Sequence, residues 1–356
     1  LRTLKSVGGA SADRLVDDQP PSRFRPDRHS VLSAGIRRGV LRPESGALIG
    51  VIAVYVFFVV FAGKNGFTGL SATAGWINAA AELGIAVVPV SLLLIAGEFD
   101  LSFGSVIACT TITIGLATTY YHLPLFVAIG IAFAIALAVG TVNGLMVTRT
   151  RLPSFIVTLA SLLALAGGTL TVSRAVSGTT VLTMHPYGLA NELFASSIGR
   201  FQVSVIWWVA ITLLGGYVLT QCVFGNWILA TGGEPAAARE AGIPTGRVKV
   251  ILFMSVSLSA ALVGTIQTLE FSGGEVDQGQ SYVFNAIIAS VIGGVLLGGG
   301  YGSAVGATLG AMTYGIVETG IYYTGWSGDL AQLILGILLL AAVLTNNAFR
   351  RLAERS

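Results

Sequence analysis

The sequence predicts an all-α polytopic membrane protein of about ten transmembrane helices. Three observations carry this. Of 356 residues, 54% are hydrophobic and only 10% are charged, where a soluble domain carries about 25% charged residues. The mean hydropathy is +0.80, and the apolar residues fall in runs of about 20, long enough to cross a bilayer as helices. Lysine and arginine are unevenly shared among the segments joining those runs, the bias that marks the cytoplasmic side of membrane proteins. An ordinary water-soluble domain is therefore ruled out. The net charge of +3 is small and focused in one tail, so nothing suggests a nucleic-acid partner.

Residues 1–45 hold nine Lys or Arg, five Asp or Glu, and the prolines Pro20, Pro21, Pro26 and Pro43. Such a basic tail cannot bury a core and is expected to be disordered and cytoplasmic. The run from Ala47 to Gly63 could be a signal-peptide core, but it follows a very long polar region and precedes no small-x-small cleavage site. It is read as a retained first span. Further apolar runs occupy 75–96, 103–121, 123–147, 155–173, 203–224, 250–270, 284–297, 303–323 and 330–346. The eighth has only 14 residues and ends in Gly298, Gly299 and Gly300, which suits a short or broken helix held inside the bundle. The transmembrane domain is thus expected at 46–347, followed by a cytoplasmic tail at 348–356.

Ten spans place both termini on one side. With the N-terminus inside, 17 of the 20 basic residues are cytoplasmic and only Lys64, Arg174 and Arg200 are outside; omitting the eighth run would weaken that split. Spans two to five and seven to ten then form two groups of four starting from opposite faces, the pattern of inverted repeats. Phe103 to Ala108 (FGSVIA) and Tyr301 to Ala307 (YGSAVGA) give it faint internal similarity.

No sequence feature supports catalysis or a cofactor. No glycine-rich stretch is followed by the Lys-Ser/Thr of a phosphate-binding loop, and neither G-x-S-x-G nor H-E-x-x-H occurs. Cys109 and Cys222 sit in separate apolar runs, and His29, His122 and His185 are scattered. Gly302, Gly306 and Gly310 recur at four-residue spacing, as close helix packing requires.

Acids within apolar surroundings are more informative, because an ionised group in a bilayer is costly. Glu82, Glu98, Asp100, Glu270 and Glu318 qualify. Glu270 and Glu318 lie near span ends and are expected to reach the interface. Glu98 and Asp100 fall in AGEFDLSFGSV (Ala96 to Val106), where Asp100 or Ser102 is expected to cap the third span; direct contact with solute is the alternative. In the long inside segment Gly225 to Lys249, Pro235 suits a first helical position, Ala236 to Ala241 favour helix, and Gly242 suits the left-handed stop. A two-turn helix is marginal in water, so either the protein's own surface or a cytoplasmic subunit should cover it.

Four segments closely resemble the permease subunits of bacterial ABC importers for monosaccharides, the ribose, xylose, arabinose and galactose group. Gly97, Asp100, Leu101, Ser102, Gly104 and Ser105 match a G-x-x-D-L-S-x-G-S segment; Asn143 to Ser161 resembles N-G-x-x-V…L-P-x-F-I-V-T-L; Gly232 to Ile243 resembles G-G-N-x-x-A-A-x-x-S-G-I; and Ile292 to Ala311 resembles G-G-x-x-L-x-G-G-x-G-S-x-x-G. Glu234 and Ala241 replace the usual Asn and Ser, and Val295 and Leu296 replace small hydroxyl residues. The resemblance implies a ten-span fold like that of cobalamin importers, in the inner membrane. It also implies a second permease chain (homodimer or heterodimer), a cytoplasmic ATP-binding subunit and a periplasmic solute-binding protein. The coupling loop would comprise Gly232, Gly233, Glu234, Pro235, Ala238, Arg239, Gly242 and Ile243. Arg174, Glu192 and Arg200 would face the binding protein, and Asp100, Ser102, Asn143 and Thr158 would line the pathway or support its gate. A proton-coupled carrier using Glu82, Glu98, Asp100 or Glu318 is the rival reading; it leaves the inside helix idle.

Overall fold

The computed structural model describes residues 43–185 and 188–353. The expected N-terminal tail lies outside them, apart from its last three positions. Every one of the ten apolar runs is helical: α1 (Pro43–Ala62), α2 (Leu70–Ile95), α3 (Phe103–Thr119), α4 (Leu125–Thr150), α5 (Ser154–Ser177), α7 (Ser204–Gln221), α10 (Thr245–Glu270), α11 (Gln280–Ile292), α12 (Ala304–Thr324) and α13 (Asp329–Ala353). Three short helices lie between them, α6 (Gly188–Phe194), α8 (Val223–Gly233) and α9 (Pro235–Glu240). The chain is a polytopic helical membrane protein. Six helices, α1, α2, α4, α5, α7 and α10, are long and apolar enough to cross a membrane. The apolar helices α3 and α11 are shorter, with 17 and 13 residues. α13 carries helix on to Ala353, past the expected end of the last run at 346.

The bundle is layered around α2 and α10, whose apolar windows are mostly buried, whereas only a minority of those of α1, α4, α5 and α7 is buried. With no water to exclude, membrane helices associate by close approach of small residues. α7 seats Trp208 over Gly84 of α2, where a Cβ would lie 2.1 Å from the indole Nε1. The expected glycine stripe is split by the start of α12: Gly306 and Gly310 both press on α11, a Cβ on Gly310 falling 1.8 Å from the Ala289 carbonyl oxygen. Gly302 lies in the turn before the helix.

One run departs from expectation. The sequence reads 203–224 as a single span followed by a loop, but the chain breaks at Cys222, in extended backbone, and α8 starts at once. Gly225 sits so tightly in this corner that a Cβ would be 2.3 Å from the Leu219 carbonyl oxygen. At the opposite end of the bundle two small antiparallel pairs form, Val181–Thr183 with Gly273–Glu275 and Ser197–Ile198 with Phe201–Gln202. The described residues between α5 and α7 therefore hold short strands and the helix α6 rather than a plain loop.

Candidate functional site at the α9 end

α9 is built from its own sequence. Pro235 stands at the first helical position, where its missing N–H costs nothing. The helix stops in a Schellman turn: Ile243 N–H donates to the Ala238 carbonyl and Gly242 N–H to that of Arg239, both at 3.0 Å. Gly242 has φ +81, the left-handed conformation such a stop requires. Only Ala238 is buried; Glu234, Arg239 and Glu240 are exposed. A six-residue helix with one buried side chain presents most of its surface outward.

Gly232 and Gly233 do not belong to α9. They end α8, and Gly232 is wedged into a backbone junction with the end of α2 and the 298–302 turn. A Cβ on Gly232 would lie 1.8 Å from the Ile95 carbonyl oxygen and 2.7 Å from Gly300 N. Gly300 N–H itself donates to that Ile95 carbonyl at 2.8 Å. Gly97, Gly299 and Gly300 all take positive φ here.

Asp100, Ser102, Asn143 and Thr158 come together next to this junction, at the start of α3. Asp100 Oδ1 accepts from the Ser102 N–H (2.8 Å) and hydroxyl (2.6 Å). The Ser102 hydroxyl accepts from Asn143 Nδ2 at 2.9 Å, and the Ser161 hydroxyl donates to Asn143 Oδ1 at 2.5 Å. Phe99 N–H donates to Ser154 Oγ at 3.0 Å, while the Thr158 hydroxyl donates to the Ser154 carbonyl at 2.8 Å. The helix starts as expected behind Asp100, but Ser102 is the N-cap and makes no side-chain cap bond. Asp100 instead folds the turn ahead of the helix. All four residues are buried, and their hydrogen bonds brace the α3–α4–α5 contact.

Burial pushes the Asp100 carboxyl up to about 6, with the Ser102 hydrogen bonds pulling the other way. Between pH 4 and 6 the folded chain thus keeps a proton that an unfolded chain, with a pKa near 4, has released. Stability tied to this group is fully present below pH 4 and is lost as pH rises through 6. Asp100→Asn keeps an acceptor and should flatten the pH dependence of the thermal midpoint over this window. Asp100→Leu leaves the buried Ser102 N–H without its acceptor and should lose roughly 1–3 kcal/mol. Loss of uptake in a normally expressed Asn variant would show that charge, not turn geometry, is what matters.

At the opposite end, Glu82 Oε2 accepts from the Tyr282 hydroxyl (2.9 Å) and Gln267 Nε2 (3.2 Å). Gln278 Nε2 donates to Gln267 Oε1 at 3.2 Å. Glu270, the last residue of α10, accepts from Gln202. Glu318 is exposed. The expected docking residues Arg174, Glu192 and Arg200 are all exposed. Arg200 is tied down: its guanidinium donates to Ser71 Oγ and its carbonyl accepts from Asn78 Nδ2. Sequence reasoning missed Gln267, Tyr282 and Gln278, although a glutamine inside an apolar run was a visible signal. It also counted Lys249 only as a loop charge.

Long apolar helices around a buried pair, with a short exposed helix at one end, define the class of polytopic helical membrane proteins. The chain belongs to the family described as the permease component of branched-chain amino acid transport systems, whose model matches residues 72–343. It is therefore a non-catalytic permease subunit of an ABC importer, and membership implies an ATP-hydrolysing partner and a periplasmic binding protein. The ribose import permease protein RbsC of Escherichia coli (strain K12) is 31% identical over 74% of this chain and 81% of its own length. The fructose import permease protein FrcC of Rhizobium meliloti is 26% identical over 87% of both chains. The autoinducer 2 import system permease protein LsrD of Klebsiella pneumoniae is 26% identical over 74% of this chain and 79% of its own length. No solved structure matches.

Proposed function

We propose that the chain forms the membrane pathway for a sugar or sugar-like solute, handed over by a periplasmic binding protein and moved by ATP hydrolysed on a separate subunit, with α9 as the coupling helix. The observation that carries this is α9 itself, a helix with its own start and stop signals and almost no partner within the chain. The solutes for which two relatives are named, ribose and fructose, supply the solute class. Ten crossings, in two inverted groups as in cobalamin importers, account for the 17 to 3 division of basic residues and put α9 and both termini in the cytoplasm. α11 would cross only as a short helix shielded by protein. A second permease chain fits α5, which exposes Ala160, Ala164, Gly167, Gly168 and Thr171, small residues that permit close helix approach. Arg174, Glu192 and Arg200 are the binding-protein contacts, all three exposed, with Arg200 also bound to Ser71 and Asn78.

The test uses proteoliposomes holding the purified chain, its ATP-binding subunit and the binding protein. Uptake of radiolabelled D-ribose or D-fructose should require ATP and persist when a protonophore removes the proton gradient. Gradient-driven uptake by this chain alone would overturn the reading in favour of a proton-coupled carrier. Uptake of neither sugar, with ATP hydrolysis intact, would remove the solute class only. For orientation, a single cysteine at Ser197 should react with an impermeant thiol reagent in spheroplasts, and one at Ser356 only after the membrane is opened.

A further inference from the structure

The α9 end contains an ion pair that none of the roles above uses. Lys249 Nζ is bound to Glu98 Oε1, the one salt bridge among the described residues, with side chains only 19% and 11% exposed. An exposed pair of this kind would add little. This one is largely shielded, so its attraction is weakly screened, and its two ends belong to different parts of the bundle.

Glu98 sits in the turn between α2 and α3, one residue beyond Gly97 of the glycine junction. The same turn is fixed on its other side by the Asp100–Ser102–Asn143–Ser161 chain of hydrogen bonds to α4 and α5. Lys249 lies in the second turn of α10, ten residues after Arg239. Little between Arg239 and Lys249 can give: the Schellman bonds close the end of α9, Thr245 N–H donates to the Ile243 carbonyl at 2.8 Å, and α10 begins at Thr245. A shift of α9 therefore displaces Lys249.

We propose that Glu98 and Lys249 are positioning residues that carry movement of α9 to the α2–α3 turn and the glycine junction, so that the α9 end of the pathway changes conformation only when α9 does. The inference rests on α9 being the coupling helix. The packed glycines transmit a push, because atoms in contact resist compression. They cannot transmit a pull. An ion pair resists separation as well, and so lets the junction follow α9 in both directions of a cycle.

The test reads the junction directly. Nothing lies within 4 Å of where a Cβ on Gly298 would sit, and its φ is not positive, so Gly298→Cys, with Cys109 and Cys222 replaced by serine, is a tolerated reporter. Its maleimide labelling rate is measured in the complex with the ATP-binding subunit, with and without ATP and vanadate. The unaltered pair should show at least a threefold change with nucleotide. Glu98→Lys alone and Lys249→Glu alone should reduce that change below 1.5-fold while ATP hydrolysis continues, and the double exchange should restore it. The milder Glu98→Gln and Lys249→Met variants cover the case in which a reversed charge prevents folding. A nucleotide-dependent change that survives in every single variant, or a double exchange as defective as either single one, would overturn the link. If no ATP-binding subunit co-purifies with the unaltered chain, the coupling role of α9 falls and the link falls with it; if it co-purifies and the pair proves irrelevant, only the link falls.

Discussion

Replacing Arg239 by glutamate together with Gly242 by valine should abolish ATP-driven uptake, by more than tenfold, and leave the chain inserted in the membrane. Gly242 holds φ +81, a conformation that costs a β-branched residue about 1–3 kcal/mol. Little else holds α9, since Ala238 is its one buried side chain and a helix of this length has no stability of its own. Valine therefore removes the Schellman stop and frees the helix. Glutamate at the exposed Arg239 reverses the charge offered to a partner, and a loss of only ~1.4 kcal/mol in docking is already tenfold in affinity. Both positions lie outside the apolar helices, so insertion is unaffected. Uptake, ATP hydrolysis and recovery of the ATP-binding subunit are measured on the purified complex at matched membrane levels. Uptake within twofold of the unaltered chain would contradict the role of α9.

A second large effect is expected from Gly232→Val. Any Cβ there meets backbone on two sides, the Ile95 carbonyl oxygen at 1.8 Å and Gly300 N at 2.7 Å, and neither can rotate away as a side chain would. α8 must separate from α2, and the Gly300 to Ile95 hydrogen bond must break. Overpacking costs about 1–3 kcal/mol and an unpaired buried backbone group about the same again. Against a total stability of roughly 5–15 kcal/mol, these costs remove a large share of the margin, read as a severalfold fall in monodisperse protein after detergent extraction. Gly298→Val, in open space, is the matched control and should behave like the unaltered chain. Equal recovery of the two variants would show that the junction is not tightly packed.

The apolar runs announced all ten of these helices, long and short, because a lipid-facing or buried helix needs little beyond hydropathy to declare itself. α9 was equally legible, since Pro235, the alanines and Gly242 are local signals read over a few residues. What escaped were features made by distant segments. Gly232 was read only as part of the coupling loop, because sequence does not show that Ile95 and Gly300 close around it. The corner at Cys222 was hidden inside a continuous apolar run. Asp100 and Ser102 were placed at the right turn, but their partners Asn143 and Ser161 come from other helices and converted an expected cap into a buried brace. Lys249 and Glu98 are 151 positions apart, and nothing local links them. Gln267 and Tyr282 became a site for Glu82 only when α10 and α11 were laid against α2.

The 13 residues of α11 extend about 20 Å, against a hydrocarbon core of about 30 Å. Such a segment gains too little from lipid to be partitioned there by itself during synthesis. Its stable place depends on Gly306 and Gly310 of α12 lying against it, and α12 is absent from the six helices that qualify by length and composition. Both therefore depend on neighbouring helices, and the ribosome supplies the earlier ones first. Biogenesis of this chain is in that sense vectorial: α11 finds one partner in the earlier α2, through Ser91 and Ser290, and the other only once α12 has left the ribosome.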